Sequence, residues 1–144
     1  MSVIDFHSHI LPGIDDGSKS TEMTMTMLRM ASEQGVDVML ATSHFYASRH
    51  RIEDFLARRR RSFERLMEVK KDFGPELRLG AEVAFFSGMS RADRLEDLTI
   101  EGSRVLLLEM PFTAWRRSDI REVEELVSKR NFQVILAHLE RYMG

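Results

Sequence analysis

Short apolar runs alternate with segments of helical periodicity along this chain, and this alternation most constrains its fold. The apolar runs cover residues 3–6, 36–42, 77–83, 105–110 and 132–137. Apolar runs of about four to eight residues between amphipathic helices are typical of buried strands joined by crossover helices. The order therefore predicts an α/β fold with a mainly parallel sheet.

Three segments carry apolar residues at the spacing of a helix face. They cover residues 21–34, 52–74 and 120–127. Asp119, followed three residues later by Glu122, predicts an N-terminal cap for the third helix. Residues 84–103 show no clear periodicity, and we expect a short helix near 89–95 and a loop.

Length and composition restrict the class of protein. The 144 residues match a single domain over residues 1–144, and the 21 basic and 23 acidic residues give a net charge of −2. This balance provides no general attraction to nucleic acid or to anionic membranes. The absence of cysteine excludes disulfides, thiolate zinc ligands and a cysteine nucleophile. No apolar run approaches the roughly 20 residues of a membrane span, and no signal peptide is evident, so we expect a cytoplasmic protein without membrane insertion.

Residues that can bind metal ions lie at the carboxyl end of each apolar run. They are His7, His9, His44, Glu82, Glu109 and His138. Because parallel strands place their carboxyl ends at one edge of a sheet, these side chains are expected to lie close together. Imidazole and carboxylate ligands without thiolate suit manganese, iron or zinc. The sequence therefore predicts a shared metal site, although the glutamates could instead pair with arginines and His138 could be structural.

Other polar residues near these runs have simpler interpretations. One residue of the pair Asp15 and Asp16 is expected to form the turn before Gly17. His50 lies near a predicted helix start and is expected at the surface. The basic run 58–61 is expected to be a solvated helix face, because consecutive helical residues point about 100° apart.

Four motifs, found in the same order as in a known family, carry a resemblance. They are His7-Ser-His9-Ile-Leu-Pro-Gly-Ile-Asp15-Asp16-Gly17-Ser-Lys-Ser, Ala-Thr-Ser43-His44, Gly80-Ala-Glu82 and Ala-His138-Leu-Glu140-Arg141-Tyr142. Together they resemble the polymerase and histidinol phosphatase (PHP) superfamily. More narrowly, they resemble the bacterial manganese-dependent protein-tyrosine phosphatases of capsular and exopolysaccharide biosynthesis. The resemblance implies that the chain forms the N-terminal portion of a distorted (β/α)7 barrel.

The resemblance also implies up to three divalent ions, manganese rather than iron or zinc. The metal ligands that it implies are His7, His9, Asp16, His44, Glu82, Glu109 and His138. Glu82 would bridge the first and second ions, and Asp16 with His44 would hold the third.

An arginine would recognise the phosphate of the substrate. By the same resemblance, Arg141 would be catalytic and contact the phosphate, since a guanidinium forms paired, charge-assisted hydrogen bonds. Arg116 and Arg117 are further candidate substrate contacts. The implied reaction is metal-assisted hydrolysis of a phosphate monoester without a phosphoenzyme. The implied substrate is the phosphorylated tyrosine-rich tail of a bacterial tyrosine autokinase.

One part of the family pattern is missing from the sequence. Family members have a late Asp-x-His pair that completes the first and third ions, and no such pair follows His138 here. We therefore expect a C-terminally incomplete PHP domain whose open sheet edge is covered in a homo-oligomer. Two alternatives stay open: a weakly active or inactive metal-binding interaction protein, and a PHP phosphoesterase of other specificity, such as a histidinol phosphatase.

Overall fold

Strands and helices alternate through residues 1–143, which are the residues that the computed structural model describes. The strands are β1 (Ile4–Ser8), β2 (Val38–Ala41), β3 (His44–Phe45), β4 (Glu76–Leu79), β5 (Glu82–Ala84), β6 (Val105–Glu109) and β7 (Gln133–Leu136). The α-helices are α1 (Thr21–Glu33), α2 (Ile52–Lys70) and α3 (Arg117–Ser128). Short 3-10 helices cover Met89–Arg91, Leu95–Leu98 and Leu139–Tyr142.

All strand pairs in this part of the chain are parallel. One sheet has the order β1-β2-β4, and the second has the order β3-β5-β6-β7. The predicted α/β fold with a mainly parallel sheet is therefore confirmed. Among residues 1–143 both sheets are open, because their outer strands pair on one side only.

One predicted strand is divided between the two sheets, and a short strand follows another. The apolar run 77–83 is broken at Gly80, which separates β4 of the first sheet from β5 of the second. The run 36–42 contains β2 alone, and just after it the chain crosses to the second sheet at β3. Gly80 packs so closely on Ile100 that an added Cβ would lie 2.6 Å from its Cδ1 atom. Apolar periodicity does not reveal these crossings, because the chain is buried on both sides of each one.

At the start of helices α1 and α3, side chains bond free backbone amides. The Ser20 hydroxyl accepts a hydrogen bond from the amide of Met23 at 3.1 Å at the start of α1. The predicted cap of the third helix was wrong: α3 begins at Arg117, and Asp119, inside its first turn, accepts a 2.8 Å bond from the Arg116 amide. Glu122 does not cap α3 either, since its carboxylate accepts bonds from residues 88 and 90.

The predicted helix near 89–95 is replaced by two separate 3-10 turns, at 89–91 and 95–98. The left-handed conformation of Arg94, with φ 61°, interrupts the helical path between them. Among residues 1–143, none of the helices combines the length and the apolar character that crossing a bilayer would require.

The core lies between the sheets and the helices, whereas one end of the second sheet leaves apolar side chains exposed. Phe45 of β3 and Phe55 of α2 are fully buried, with ring centroids 5.5 Å apart in an edge-to-face arrangement. At the opposite end, Ile135 of β7 is 42% exposed and Val127 of α3 is 49% exposed. The β7 end of the domain therefore presents an apolar surface to its surroundings.

Candidate metal centre

Four imidazoles from separate parts of the chain surround the carboxylate of Glu82, whose side chain is fully buried. His7 Nε2 lies 2.8 Å from its Oε2 atom, and His138 Nε2 lies 2.7 Å from its Oε1 atom. His9 Nε2 and His44 Nδ1 lie 3.1 Å and 3.5 Å from Oε2. The carboxyl ends of β1 and β7 and the starts of β3 and β5 thus converge on one carboxylate.

Three overlapping sets of side chains have ligand atoms within 4.8 Å of one another. The sets are His9, Asp15, Asp16 and His44; His7, His9 and Glu82; and His44, Glu82 and Glu109. His138 adjoins the last set, with its Nε2 atom 3.7 Å from Glu109 Oε2. We call the seven sequence-predicted ligands (His7, His9, Asp16, His44, Glu82, Glu109 and His138) the histidine–carboxylate cluster. The shared members could bridge neighbouring ions.

Local backbone geometry aims these side chains at the cluster. Residues at i and i+2 of a strand point to the same face, so His7 within β1 and His9 just beyond it point the same way, with ring centroids 5.2 Å apart. His138 adopts the left-handed conformation, with φ 53°, between β7 and the following 3-10 helix. That conformation costs a non-glycine residue about 1–2 kcal/mol, and it turns the imidazole back toward Glu82.

Asp15 is the residue of this site whose role the sequence left unassigned. Its Oδ2 atom lies 2.9 Å from His9 Nδ1 and accepts a 3.0 Å bond from the His44 amide, while Oδ1 accepts a 2.9 Å bond from the Gly17 amide. Asp16 is instead 81% exposed, with Oδ1 3.5 Å from His44 Nε2. Carboxylates that hold the second nitrogen of a ligating histidine are common around metals. In the sequence, the only sign of this role is that a carboxylate follows His9 by six residues, within one loop.

The ionisation of the cluster shows how tightly its charges are coupled. Hydrogen bonds to Asp15 and Glu82 raise the pKa of His9 to about 10, against the opposing effect of burial. Burial disfavours the charged form of Glu82, but hydrogen bonds from His7 and His9 outweigh it and lower the pKa of this carboxyl. Burial and the neighbouring Glu82 raise the pKa of Glu109 to about 7. In the absence of metal, these imidazoles and carboxylates therefore share protons, and a bound cation would replace those protons.

The donor set fits a divalent ion. The Nδ1 atom of His44 is buried without a hydrogen-bond partner, although it lies 3.5 Å from Glu82. A buried polar atom without a partner is costly and needs an explanation. Burial also lowers the pKa of His44, which favours the neutral form that binds metals. Imidazole nitrogens and carboxylate oxygens together suit manganese, iron or zinc.

Arg141 follows His138 in the 3-10 helix Leu139–Tyr142, and its amide donates a 2.8 Å hydrogen bond to the His138 carbonyl. Its positive charge acts on Glu109 and opposes the rise in that residue's pKa. It also lines a cavity of about 520 Å³ together with the aromatic side chains of Phe112, Trp115 and Tyr142. The Tyr142 hydroxyl accepts a 2.9 Å bond from the Met110 amide, which anchors this segment to the end of β6.

The other two predicted substrate contacts lie at the start of α3. The guanidinium of Arg116 is paired with Asp119, with Nη2 3.2 Å from Oδ1, and the Arg116 side chain is 73% exposed. Arg117 is the exposed first residue of the helix. Within residues 1–143, no hydrogen bond or ion pair joins either arginine to the cluster, and their role in binding substrate stays a prediction.

The run 58–61 is not the uniformly solvated face that we expected. Arg58 donates hydrogen bonds to the Ile14 carbonyl at 2.8 Å and to His50 Nε2 at 3.1 Å. Arg59 donates to the Gly80 carbonyl at 2.7 Å. His50, expected at the surface, is half-buried and lines a small cavity beside Asp16. Helix periodicity identifies exposed faces but not the loops that fold over them.

The fold and the cluster define a parallel α/β domain built around a site for divalent metal ions. A family model described as "Capsular polysaccharide synthesis, CpsB/CapC" matches residues 3–144. The chain belongs to this family, and the predicted relationship to the PHP-type phosphatases of capsule synthesis is confirmed.

Individual relatives support the same relationship. The chain is 28% identical over 149 aligned residues to the tyrosine-protein phosphatase CpsB of Streptococcus pneumoniae, covering 97% of this chain and 58% of the relative. It is 27% identical over 140 residues to the tyrosine-protein phosphatase YwqE of Bacillus subtilis, covering 96% and 55%. The chain thus spans somewhat more than half the length of these relatives.

A solved structure confirms the fold. It comes from a study of Bacillus subtilis YwqE and Streptococcus pneumoniae CpsB, described as unique metal-dependent tyrosine phosphatases. The TM-score is 0.77 at 24% identity, with 96% of this chain and 56% of that chain covered. The match therefore extends over nearly all of the strands and helices described above.

Proposed function

We propose that this chain hydrolyses phosphate monoesters at its histidine–carboxylate cluster with the help of divalent metal ions, and that phosphotyrosine in a protein is its substrate. The observation that carries the proposal is the buried Glu82 carboxylate with four imidazole nitrogens within 3.5 Å. Buried carboxylates and histidines in such numbers at strand ends are typical of catalytic metal sites. The names of the relatives supply the reaction class.

The chain's own residues divide into ligands and supports. The seven members of the cluster would hold up to three ions, with manganese favoured over iron or zinc by the family resemblance. Asp15 would orient His9 so that its Nε2 atom faces the ions, because Nδ1 already bonds the carboxylate. When bound, divalent ions activate water as a nucleophile and offset the charge of the phosphoryl group.

Arg141 would bind and orient the phosphoryl oxygens. A guanidinium presents two parallel N–H donors to a phosphate, and the charge of Arg141 lowers the pKa of Glu109 in the cluster. The aromatic side chains of Phe112 and Trp115 line the same cavity and offer a wall for a tyrosine ring. This combination favours phosphotyrosine over smaller phosphorylated side chains.

The biological substrate that we propose is the phosphorylated tyrosine-rich tail of a bacterial tyrosine autokinase in capsule or exopolysaccharide synthesis. The support is the family match and the names of the relatives. A cytoplasmic location belongs to the same proposal, because such a tail would have to reach the cluster.

The test is a phosphatase assay on the purified 144-residue chain, run beside elemental analysis for metals. We expect phosphate release from a phosphotyrosine peptide that EDTA abolishes and Mn²⁺ restores, with much slower release from phosphoserine peptides and histidinol phosphate. A chain that takes up no metal would contradict the proposal. Metal uptake without turnover would favour the alternative of an inactive metal-binding interaction protein.

We also propose that a second copy of the chain covers the apolar surface at β7 and α3. Within the described residues β7 pairs only with β6, and a groove of about 600 Å³ runs between Trp115, Val123 and Leu136. Ile120 and Val127 beside it are 45% and 49% exposed. Exposed apolar patches of this kind often mark protein interfaces. Size-exclusion chromatography with light scattering should show a dimer or larger oligomer at micromolar concentration, whereas a compact monomer would contradict the proposal.

A further inference from the structure

We infer that helix α2 sets the geometry of the metal centre through two positioning residues, Arg58 and Arg59, which hold two different groups of ligands. The inference rests on the proposed metal-dependent function. Each guanidinium donates to a backbone carbonyl in a segment that leads directly into the cluster. Neither arginine is itself a ligand.

Arg58 holds the loop that carries the two aspartates. Its guanidinium donates to the carbonyl of Ile14, the residue before Asp15, and to Nε2 of His50. Since an arginine only donates, His50 must accept through Nε2. Asp15 in turn contacts the His9 imidazole and the His44 amide. Arg58 is therefore connected, through the Ile14–Asp15 segment, to the part of the cluster formed by His9, Asp16 and His44.

Ser62 provides a second tie from the same helix face. Residues at i and i+4 of a helix lie on one face, one turn apart. The buried hydroxyl of Ser62 donates to the carbonyl of Pro12 at 2.8 Å, while Arg58 one turn earlier donates to Ile14. Two donors of α2 thus fix alternate carbonyls of the loop that precedes the aspartates.

Arg59 holds the short segment between β4 and β5 that precedes Glu82. Its guanidinium donates to the carbonyl of Gly80, and its centre lies 5.6 Å from the ring centroid of Phe55 on the same helix. Gly80 is itself pressed against Ile100, and its amide bonds the Ala41 carbonyl at 3.0 Å. Two residues later Glu82 begins β5 with its side chain fully buried. Arg59 is therefore placed to fix the position at which β5 begins, and with it the position of the Glu82 carboxylate.

The two arginines can serve different loops because of helix geometry. Successive helical residues point about 100° apart, so Arg58 and Arg59 reach toward separate segments. A carbonyl at a loop or a strand break has no partner in a ladder, and a long planar donor can satisfy it. Arg60 and Arg61, which complete the run, are exposed. Arg61 therefore provides a matched control on the same helix.

The first test is calorimetric titration of the metal-stripped 144-residue chain with Mn²⁺, combined with elemental analysis. Loss of a residue that orients a ligand typically lowers metal affinity 10- to 100-fold. We expect Arg58→Met to weaken the ion held by Asp16 and His44 about tenfold or more and to leave the tighter binding events unchanged. Arg59→Met should instead weaken the ions held by Glu82, and Arg61→Met should bind like the parent.

The second test requires no metal. The amides of Gly17 and His44 both donate to Asp15, so their hydrogen exchange reports how well the loop is held. In the metal-free chain, Arg58→Met should accelerate exchange of both amides about tenfold, while Arg59→Met and Arg61→Met should not. Ser62→Ala should produce a smaller acceleration, which provides a readout if Arg58→Met does not fold. Arg58→Lys, with fewer donors and no planar fork, should be intermediate.

The outcomes separate this inference from the proposed function. If the parent chain binds Mn²⁺ and releases phosphate but the Arg58 and Arg59 variants match Arg61→Met in both tests, the inference is wrong and the function stands. If both variants weaken every ion equally, the arginines support the fold in general and the inference is wrong. If the parent binds no Mn²⁺, the proposed function fails, and unchanged exchange of Gly17 and His44 in Arg58→Met would refute the positioning role as well.

Discussion

The Nε2 atom of His138 lies 2.7 Å from Oε1 of Glu82, although β6 lies between β5, which begins at Glu82, and β7, which precedes His138. Neighbouring strands lie about 4.8 Å apart, so the two side chains together span about twice that distance. His138 adopts the left-handed conformation just after β7. The end of the sheet that carries the exposed apolar surface is thereby joined to the centre of the cluster.

Replacing Glu82 tests the centre of the cluster. Glu82→Gln removes the charge shared by four imidazoles and places an amide N–H donor among them, so we expect the loss of at least one bound ion. Phosphatase activity should fall at least about 100-fold, which corresponds to about 2.7 kcal/mol in the activation free energy. Elemental analysis and a phosphotyrosine-peptide assay measure the two effects. Glu33→Gln, on the exposed end of α1, is the control and should change neither.

Replacing Arg141 tests the phosphate contact separately from the metal site. Hydrogen bonds to charged groups contribute about 1.5–3 kcal/mol, so Arg141→Ala should lower kcat/KM roughly 10- to 150-fold while the metal content is unchanged. Arg29→Ala, at an exposed position on α1, is the control and should leave kcat/KM within about twofold. Equal losses of kcat/KM in both variants would show that the loss in Arg141→Ala does not come from a phosphate contact.

Metal binding should release protons. In the metal-free chain the pKa of His9 is about 10, so its imidazole is protonated at pH 7, and Glu109, with a pKa of about 7, is half protonated. An ion needs the neutral imidazole and the charged carboxylate, so its apparent affinity should increase as the pH rises from 6 to 8, by up to about tenfold per pH unit for each proton released. Calorimetric titration in buffers of different ionisation enthalpy counts these protons. An affinity that is constant or falls over this range would contradict the assignment.

A methyl group at Gly17 should disturb the aspartate loop. A Cβ at this position would overlap the Cβ and carbonyl oxygen of His9, so Gly17→Ala must displace backbone next to a ligand. Overpacking of this kind costs about 1–3 kcal/mol, measurable by urea denaturation, and the affinity for Mn²⁺ should fall as well. Gly35→Ala is the control: Gly35 has open space around it but a φ of +80°. It should cost about 1 kcal/mol through backbone strain alone and leave metal affinity unchanged.

Much of the fold could be predicted because the signals are local. The alternating apolar runs and helical stripes correctly predict the parallel α/β order, and the position of each ligand after its run depends only on neighbouring residues. The start of α3 was missed because Asp119 looks like a cap, whereas its carboxylate bonds the Arg116 amide from inside the helix. The breaks after β2 and β4 were missed because apolar periodicity cannot show that a strand changes sheets.

The sequence by itself determined the types of residues at the edge of the sheet: histidines and carboxylates at the carboxyl ends of apolar runs, without any thiol. Only the tertiary structure decided which role each of these and the neighbouring residues has. Glu82 became the buried centre, Asp15 became the support of His9, and Arg58 became a link between α2 and the aspartate loop. These roles depend on contacts between segments far apart in the chain, and burial, which changes both hydrogen bonding and pKa, arises only when those segments pack together.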